Sequence, residues 1–133
     1  MIVLDTHALV WWVADPAQIP AKARRLIQAA LDKGDKLHVS SISLWEIALL
    51  LERGRLRVTV DPTTWLTALQ SLPFVNWIPV DNAIALRSVN LERFPHRDPA
   101  DRFIAATALA TGATLVTGDR RLRGYPPVAT AWD

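Results

Sequence analysis

Three acidic residues flank one predicted helix and the strand that follows it, and their carboxylates are the first candidates for chemistry. Asp98 is a good N-cap for a helix over Pro99–Thr111, which places Asp101 in its first turn. The apolar segment Ala113–Thr117 has no polar alternation, as in a parallel strand covered on both faces, and Asp119 lies just beyond it. Each acid also has an ordinary structural explanation, as a helix cap, a partner of the helix dipole or a turn residue.

Two further acids are predicted at the same edge of the sheet. The chain begins with the apolar run MIVLD, which predicts a buried parallel strand with Asp5 at its carboxyl end, where α/β sheets bind ligands. Glu46 follows the second predicted strand, on a long apolar helix. Ser43 and Glu46 have the capping-box spacing, which would occupy the carboxylate at the helix start. A cap at Ser40 or Ser41 would instead place Glu46 in the second turn, above the same edge.

Carboxylates gathered at one edge repel each other unless a cation binds between them. The predicted set is Asp5, Glu46, Asp101 and Asp119, with Asp98 nearby. Because the chain has no cysteine, oxygen ligands favour Mg²⁺ or Mn²⁺ over Zn²⁺. Such an ion lowers the pKa of a bound water and stabilises both oxygens of a phosphodiester displacement. His7 is an alternative ligand. Loss of one repelling carboxylate, at Asp5 or Asp101, is expected to raise metal-free stability or leave it unchanged.

Length and composition predict a single domain over residues 1–133. Half of the 133 residues are apolar, which is enough for one sizeable core. No apolar run approaches the roughly 18 residues of a membrane span, and the N-terminus lacks a basic region like that of a signal peptide. With no cysteine to form disulfides, the expected location is a reducing cytoplasm, and no membrane association is expected.

The charge pattern favours a polyanionic partner. Twelve of the fifteen basic residues are arginine, and setting aside the five acids above leaves eight acidic residues on the rest of the molecule. An acidic pocket inside an arginine-rich surface suits a substrate whose phosphates meet guanidinium groups. The arginines expected to hold such a backbone are Arg97, Arg102, Arg120, Arg121 and Arg123, the last three in a basic loop after Asp119. Solvated surface pairing is the alternative explanation of the arginines, including the alternating Arg53, Arg55 and Arg57.

Strands alternate with helices along the chain, which predicts a three-layer α/β/α sandwich with a mainly parallel central sheet. The predicted strands are Met1–Asp5, Leu37–Ser40, Phe74–Val80 and Ala113–Thr117, with a last one at Pro127–Thr130. The predicted helices are His7–Val13, Pro20–Lys33, a helix from the serines after the second strand to Gly54, Asp61–Leu72, one from Asp81 to about Arg93, and Pro99–Thr111.

Taken together, the pieces LDTHALVWW, SSISLWEIA, GRLRV, HRDPADRFIAATA and LVTGD resemble the PIN-domain ribonucleases, specifically the VapC-type toxins of bacterial toxin–antitoxin modules. The resemblance covers nearly the whole chain. It implies a PIN-like fold and a Mg²⁺- or Mn²⁺-dependent endoribonuclease whose acids match Asp5, Glu46, Asp101 and Asp119. It also implies polar support from Thr6 and Thr117, an RNA substrate, a VapB-type antitoxin partner and a homodimer.

Three other functions place different demands on the sequence. A haloacid-dehalogenase-type phosphatase needs a second acid two residues after the first, where this chain has His7. A receiver-type signalling domain needs a lysine near the last strand, and the lysines here are Lys22, Lys33 and Lys36. A non-catalytic metal- or RNA-binding module of the same fold stays open.

The adjacent Trp11 and Trp12 predict a protein interface. On a helix their side chains diverge by about 100°, so one sheet is not expected to bury both. One indole is therefore expected to remain exposed for an antitoxin helix, which would also bring a basic residue toward the acid pocket. A role for both in the monomer core or a homodimer interface is the alternative.

Overall fold

The computed structural model describes residues 1–95 and 97–133, so His96, which belongs to one of the quoted motifs, lies outside the described residues. Five parallel strands form one sheet in the order β3-β2-β1-β4-β5. The strands are β1 (Ile2–Leu4), β2 (Leu37–Ser40), β3 (Val75–Ile78), β4 (Thr114–Val116) and β5 (Thr130–Ala131). The central strand β1 therefore lies between β2 and β4, which come from distant parts of the chain.

Helices connect successive strands. They are α1 (Thr6–Ala14), α2 (Ala21–Asp32), α3 (Ser41–Glu52), α4 (Pro62–Gln70), α5 (Asn82–Val89), α6 (Pro99–Thr111) and α7 (Arg120–Arg123), and a short 3-10 helix spans Pro16–Gln18. Across the described residues, no helix combines the length and apolar character needed to span a bilayer.

The sheet buries a core on each face, because successive side chains of a strand point to opposite sides. On β1, Leu4 packs with helices α1 to α4, whereas Val3 packs with α6 and α7. The α/β/α sandwich predicted from the sequence is confirmed, and every strand pair is parallel. Asp5 follows β1 and Asp119 follows β4, so both acids lie at the carboxyl edge of the sheet.

The central helix is confirmed residue for residue. α6 spans Pro99–Thr111, Asp98 is its N-cap, and Gly112 ends it with a positive φ of 65°. A left-handed residue at this position is a common helix stop, and glycine adopts it without strain. The β4 strand follows directly, as the apolar run predicted.

Several predicted elements are wrong in their bounds. The helix expected to reach Arg93 ends at Val89, because Leu91 turns into the core and Arg93 has a φ of 55°, which no right-handed helix accommodates. The basic loop after Asp119 is the helical turn α7. The last strand lies at Thr130–Ala131 instead of Pro127–Thr130, since pairing with β4 begins only at Thr130.

Candidate active site

Asp5 is fixed where β1 passes into α1. The residue is 3% exposed, and its Oδ1 accepts a 2.8 Å hydrogen bond from the Thr6 amide, which makes it the N-cap of α1. Its Oδ2 accepts a 2.7 Å hydrogen bond from the Thr117 hydroxyl at the end of β4. Two strands therefore orient one carboxylate at the edge of the sheet.

Glu46 lies in the second turn of α3, because Ser40 caps this helix by accepting a 3.2 Å hydrogen bond from the Ile42 amide. The capping-box explanation with Ser43 is thus wrong. The Thr6 hydroxyl donates to Glu46 Oε1 at 2.6 Å and lies 2.8 Å from Ser43 Oγ. These contacts direct the carboxylate toward Asp5 instead of back to the helix start.

The pKa of Glu46 is raised above its ordinary value, first of all by burial. The hydrogen bond from Thr6 lowers this pKa, and the neighbouring negative charges of Asp5 and Asp98 raise it again. Burial is therefore the main cause of the raised pKa of Glu46, and the neighbouring carboxylates add to it.

Asp98 and Asp101 stand at the start of α6. Asp98 Oδ1 accepts a 2.9 Å hydrogen bond from the Ala100 amide, so its structural explanation as a cap is confirmed. Asp98 nevertheless faces the same cavity as Asp101, which is half-buried in the first helical turn. Capping and membership of the site are compatible here.

Asp119, the last of the predicted acids, follows the end of β4. Its Oδ1 accepts hydrogen bonds from the amides of Arg121 at 2.8 Å and Leu122 at 3.2 Å, so it caps α7. The Asp119 amide donates at 3.0 Å to the Thr117 hydroxyl. Since that hydroxyl also donates to Asp5, Thr117 ties the two acids together.

One cavity of about 390 Å³ joins these elements. The predicted acids that line it are Asp5, Glu46, Asp98, Asp101 and Asp119. Oxygen donors of this kind suit a hard divalent cation. Over residues 1–95 and 97–133, however, no three histidine or acidic side chains already stand as a group that could hold a metal ion. The donor chemistry fits Mg²⁺ or Mn²⁺, and the carboxylates are gathered around the cavity without forming a closed cage.

His7 also lines the cavity, but its contacts differ from those of a ligand. Its Nε2 accepts a 2.8 Å hydrogen bond from the Gly118 amide, and its Nδ1 lies 3.6 Å from Asp5 Oδ2. Its ring packs edge-on against Trp11 and Trp132, with centroids 5.2 and 5.5 Å away. One ring nitrogen is thus already engaged by the backbone.

Sequence reasoning missed three members of this region. Arg55 lines the cavity, although its sequence pattern indicated an extended surface segment; Arg55 and Arg57 are exposed, and no strand forms there. Ser43 was considered only as a cap, and Trp132 carried no signal at all. Only Arg55 had a usable clue, its place among alternating arginines after the helix that carries Glu46.

The predicted phosphate-binding arginines fall into two groups. Arg97, Arg120 and Arg121 are exposed. Arg123 forms an ion pair with Asp133, and Arg102 donates at 3.1 Å to the Ser88 carbonyl while its guanidinium lies 5.3 Å from the centre of the Phe94 ring. The contacts of Arg102 and Arg123 within the fold account for both residues without a nucleic acid.

The expectation that Trp11 or Trp12 would be left exposed is wrong. Both are half-buried and pack against the first core, Trp11 beside His7 and Trp132. The exposed indole belongs to Trp45, which is 55% accessible and precedes Glu46 on α3. Packing against the first core partly covers both rings.

A family model described as the PIN domain matches residues 2–126. The chain is 36% identical over 133 residues to a ribonuclease of Mycobacterium tuberculosis, VapC22, and the alignment covers 98% of each. Its fold is similar to that of VapBC2 from Rickettsia felis bound to a promoter DNA fragment, with a TM-score of 0.72, 20% identity and complete coverage of both chains. A toxin–antitoxin complex from Klebsiella pneumoniae gives a TM-score of 0.67 at 22% identity, covering 98% of this chain and 97% of the other.

Proposed function

This chain belongs to the PIN domain family, and from that premise we propose that it is an endoribonuclease, the toxin of a toxin–antitoxin pair. The observation that carries the proposal is the convergence of five carboxylates from four separate segments on one cavity. The 36% identical ribonuclease from Mycobacterium tuberculosis supports the choice of RNA as substrate. A non-catalytic metal-binding module of the same fold would use the same carboxylates, so RNA cleavage itself is the property that separates the two.

We propose Mg²⁺ or Mn²⁺ as the cofactor, held by Asp5, Glu46, Asp101 and Asp119. The raised pKa of Glu46, caused first by burial and then by the neighbouring carboxylates, supports this assignment, since a cation would favour the charged form that both effects disfavour. When bound, such an ion supplies Lewis-acid chemistry and a more acidic bound water for phosphodiester hydrolysis. Asp98 contributes negative charge at the mouth of the site and caps α6.

The neighbouring hydroxyl groups hold the acidic side chains in position. Thr6 holds Glu46, and Thr117 holds Asp5 and the backbone before Asp119. Because carboxylates repel phosphates, positive charge must guide an RNA strand toward the cavity. Arg55 lies in the cavity wall, and Arg120 and Arg121 are exposed beside Asp119, so they are placed to do this.

The proposed partners are a VapB-type antitoxin and a second copy of the chain. The similar solved structures are described as VapBC or toxin–antitoxin complexes, which supports the antitoxin. One wall of the cavity is apolar and could receive a partner helix beside the acids. That wall comprises Val10, Trp11, Leu50 and Leu56. The location we propose is the cytoplasm, where the RNA is.

The test is cleavage of RNA by the purified protein with and without Mn²⁺, together with a sequencing map of RNA ends after brief expression. Wild-type protein should create new ends that Asp5→Asn does not. Asp61→Asn is the matched control, because Asp61 also caps a helix by accepting from the Thr64 amide but lies outside the cavity. Cleavage that survives Asp5→Asn or removal of the metal would contradict the proposal, and metal binding without cleavage would indicate a non-catalytic module.

A further inference from the structure

The turn that carries Asp119 is held from outside by a histidine on another element. The amide of Gly118 donates a 2.8 Å hydrogen bond to Nε2 of His7, which lies in the first turn of α1. A neutral imidazole that accepts at Nε2 carries its proton on Nδ1. The Nδ1 atom faces Asp5 Oδ2 at 3.6 Å, too far for a hydrogen bond but favourable for an N–H dipole.

The ring of His7 cannot swing away from this position easily. Trp11 and Trp132 both meet it edge-on, and their own ring centroids are 5.8 Å apart. Trp132 also closes the space above Gly118, where an added Cβ would come within 2.8 Å of the indole Cε2. Only glycine fits such a close approach, so the imidazole, the indole and the Gly118 backbone pack as one unit.

A second link runs parallel to the first. Thr117 donates to Asp5 Oδ2 at 2.7 Å and accepts from the Asp119 amide at 3.0 Å. The turn at residues 117–119 is therefore attached at two points to the junction that carries both Asp5 and His7. The Thr117 link fixes the start of the turn, and the Gly118 link fixes its middle, directly before Asp119.

We propose that His7 is a positioning residue of the metal site, which accepts the Gly118 amide proton and so fixes the Asp119 carboxylate relative to Asp5. This inference rests on the proposed metal-dependent function. It assigns His7 a task distinct from metal binding, because Nε2 accepts from the backbone and Nδ1, in this tautomer, carries a proton instead of a free lone pair. Outer hydrogen bonds of this kind orient ligands and strongly affect metal affinity.

Two substitutions separate hydrogen bonding from packing. His7→Leu fills space but removes the acceptor, whereas His7→Gln offers a carbonyl oxygen near the position of Nε2. Isothermal titration with Mn²⁺ should show about tenfold weaker binding for His7→Leu and much less loss for His7→Gln. His38→Leu is the control, since His38 is half-buried on β2 and contacts Asn76 outside the cavity. Equal losses in the Leu and Gln variants of His7 would overturn the proposal.

Hydrogen exchange of the Gly118 amide in metal-free protein gives a readout that needs no metal. Exchange should be slow in wild type and His7→Gln and fast in His7→Leu. Unchanged protection in His7→Leu would show that the Gly118 hydrogen bond does not hold the turn, and would overturn the proposal even if Mn²⁺ affinity fell.

A double-mutant cycle with Asp119→Asn distinguishes positioning from direct ligation. If His7 acts through Asp119, His7→Leu should cause little further loss of Mn²⁺ affinity in the Asp119→Asn background. A full tenfold loss in that background would identify His7 as a ligand and overturn the proposal. Wild-type protein that bound no Mn²⁺ would overturn the proposed function as well, whereas Mn²⁺ binding that is indifferent to His7 would overturn this inference alone.

Discussion

Asp5 performs a structural task in addition to the proposed binding of the cation. Its carboxylate accepts hydrogen bonds from the Thr6 amide and the Thr117 hydroxyl in a buried position. The expectation that alanine here would leave the metal-free protein equally or more stable considered only charge repulsion. The two buried hydrogen bonds oppose that effect, because alanine would leave both donors without their acceptor.

We therefore expect Asp5→Ala to lower the free energy of unfolding by about 1 to 3 kcal/mol. Asp5→Asn, which keeps an acceptor for the Thr6 amide, should lose much less stability but an equal amount of RNA cleavage. Urea unfolding and cleavage rates in Mn²⁺ check this pair. Equal stabilities of the two variants would show that charge repulsion and not hydrogen bonding governs the position.

Asp98 offers the contrasting case of an exposed cap. Asp98→Ala removes the acceptor of the Ala100 amide and should cost about 1 kcal/mol of stability, while some cleavage remains. Asp98→Asn should keep the cap and restore the stability. A well-folded Asp98→Ala protein with no activity would instead place Asp98 among the essential ligands.

The raised pKa of Glu46 makes the folding stability of the metal-free protein depend on pH. Because its folded-state pKa is raised above 4.5, the folded state holds this proton more tightly than the unfolded chain does. That favourable contribution is complete below pH 4.5 and is lost as the pH rises through the raised pKa. Stability of the metal-free protein should therefore fall over this window in wild type but not in Glu46→Gln.

The control for that experiment is Glu52→Gln, which changes an exposed glutamate on the same helix. Its stability should follow the wild-type curve with pH. Saturating Mn²⁺ should reverse the trend in wild type, since the ion prefers the deprotonated carboxylate. Parallel curves for wild type and Glu46→Gln without metal would contradict this account of Glu46.

At the scale of elements, the sequence predicted best where local chemistry and tertiary packing agree. α6 has an aspartate cap, a proline at its first position and a glycine stop, and all three are used as expected. The prediction that α5 reaches Arg93 is wrong, because burial of Leu91 outweighed a continuing helical pattern. The meeting of Asp5 and Asp119 at one edge of the cavity was predictable, since parallel strands place their carboxyl ends together. The position of Trp132 was not, because only the folded sheet brings it to Gly118.

The helical turn α7 is the element expected to meet the RNA backbone. Its exposed Arg120 and Arg121 lie directly after Asp119, and a second cavity of about 400 Å³ beside it is lined by Lys22, Arg120 and Arg123. Replacing Arg120 and Arg121 by alanine should weaken binding to all RNAs alike. It should also reduce the slope of log affinity against log salt by roughly 0.7 for each lost phosphate contact.

Fluorescence anisotropy with a single-stranded RNA at several salt concentrations measures this slope. Arg87→Ala is the matched control, because Arg87 is exposed but lies in the last turn of α5. A slope unchanged by the α7 substitutions would remove that turn from the RNA-binding surface.

At the scale of the whole molecule, the cavity suggests how an antitoxin would inhibit the proposed site. The cavity combines acids with an apolar wall that includes Trp11 and Leu56. An amphipathic partner segment could cover this wall and bring a guanidinium among the carboxylates, where it would compete with the cation. Inhibition by the cognate antitoxin should therefore weaken as Mn²⁺ is titrated in.

Alanine at Trp11 should lower antitoxin affinity more than alanine at Trp12, which does not line the cavity. Inhibition that no Mn²⁺ concentration relieves would argue against competition for the site. Antitoxin affinities equal to wild type in both variants would exclude α1 from the interface.

The pairing of β1 with β4 also determines when the proposed site can form during synthesis of the chain. Thr117 meets Asp5 across 112 residues of sequence, so the two ends of the proposed site come together only after nearly all of the intervening chain has left the ribosome. A nascent chain that ends at α5 carries Asp5 and Glu46 but neither Asp101 nor Asp119. Ribosome-bound chains halted at the end of α5 should therefore lack the proposed Mn²⁺ site, so the proposed ribonuclease would stay inactive until its own synthesis is nearly complete.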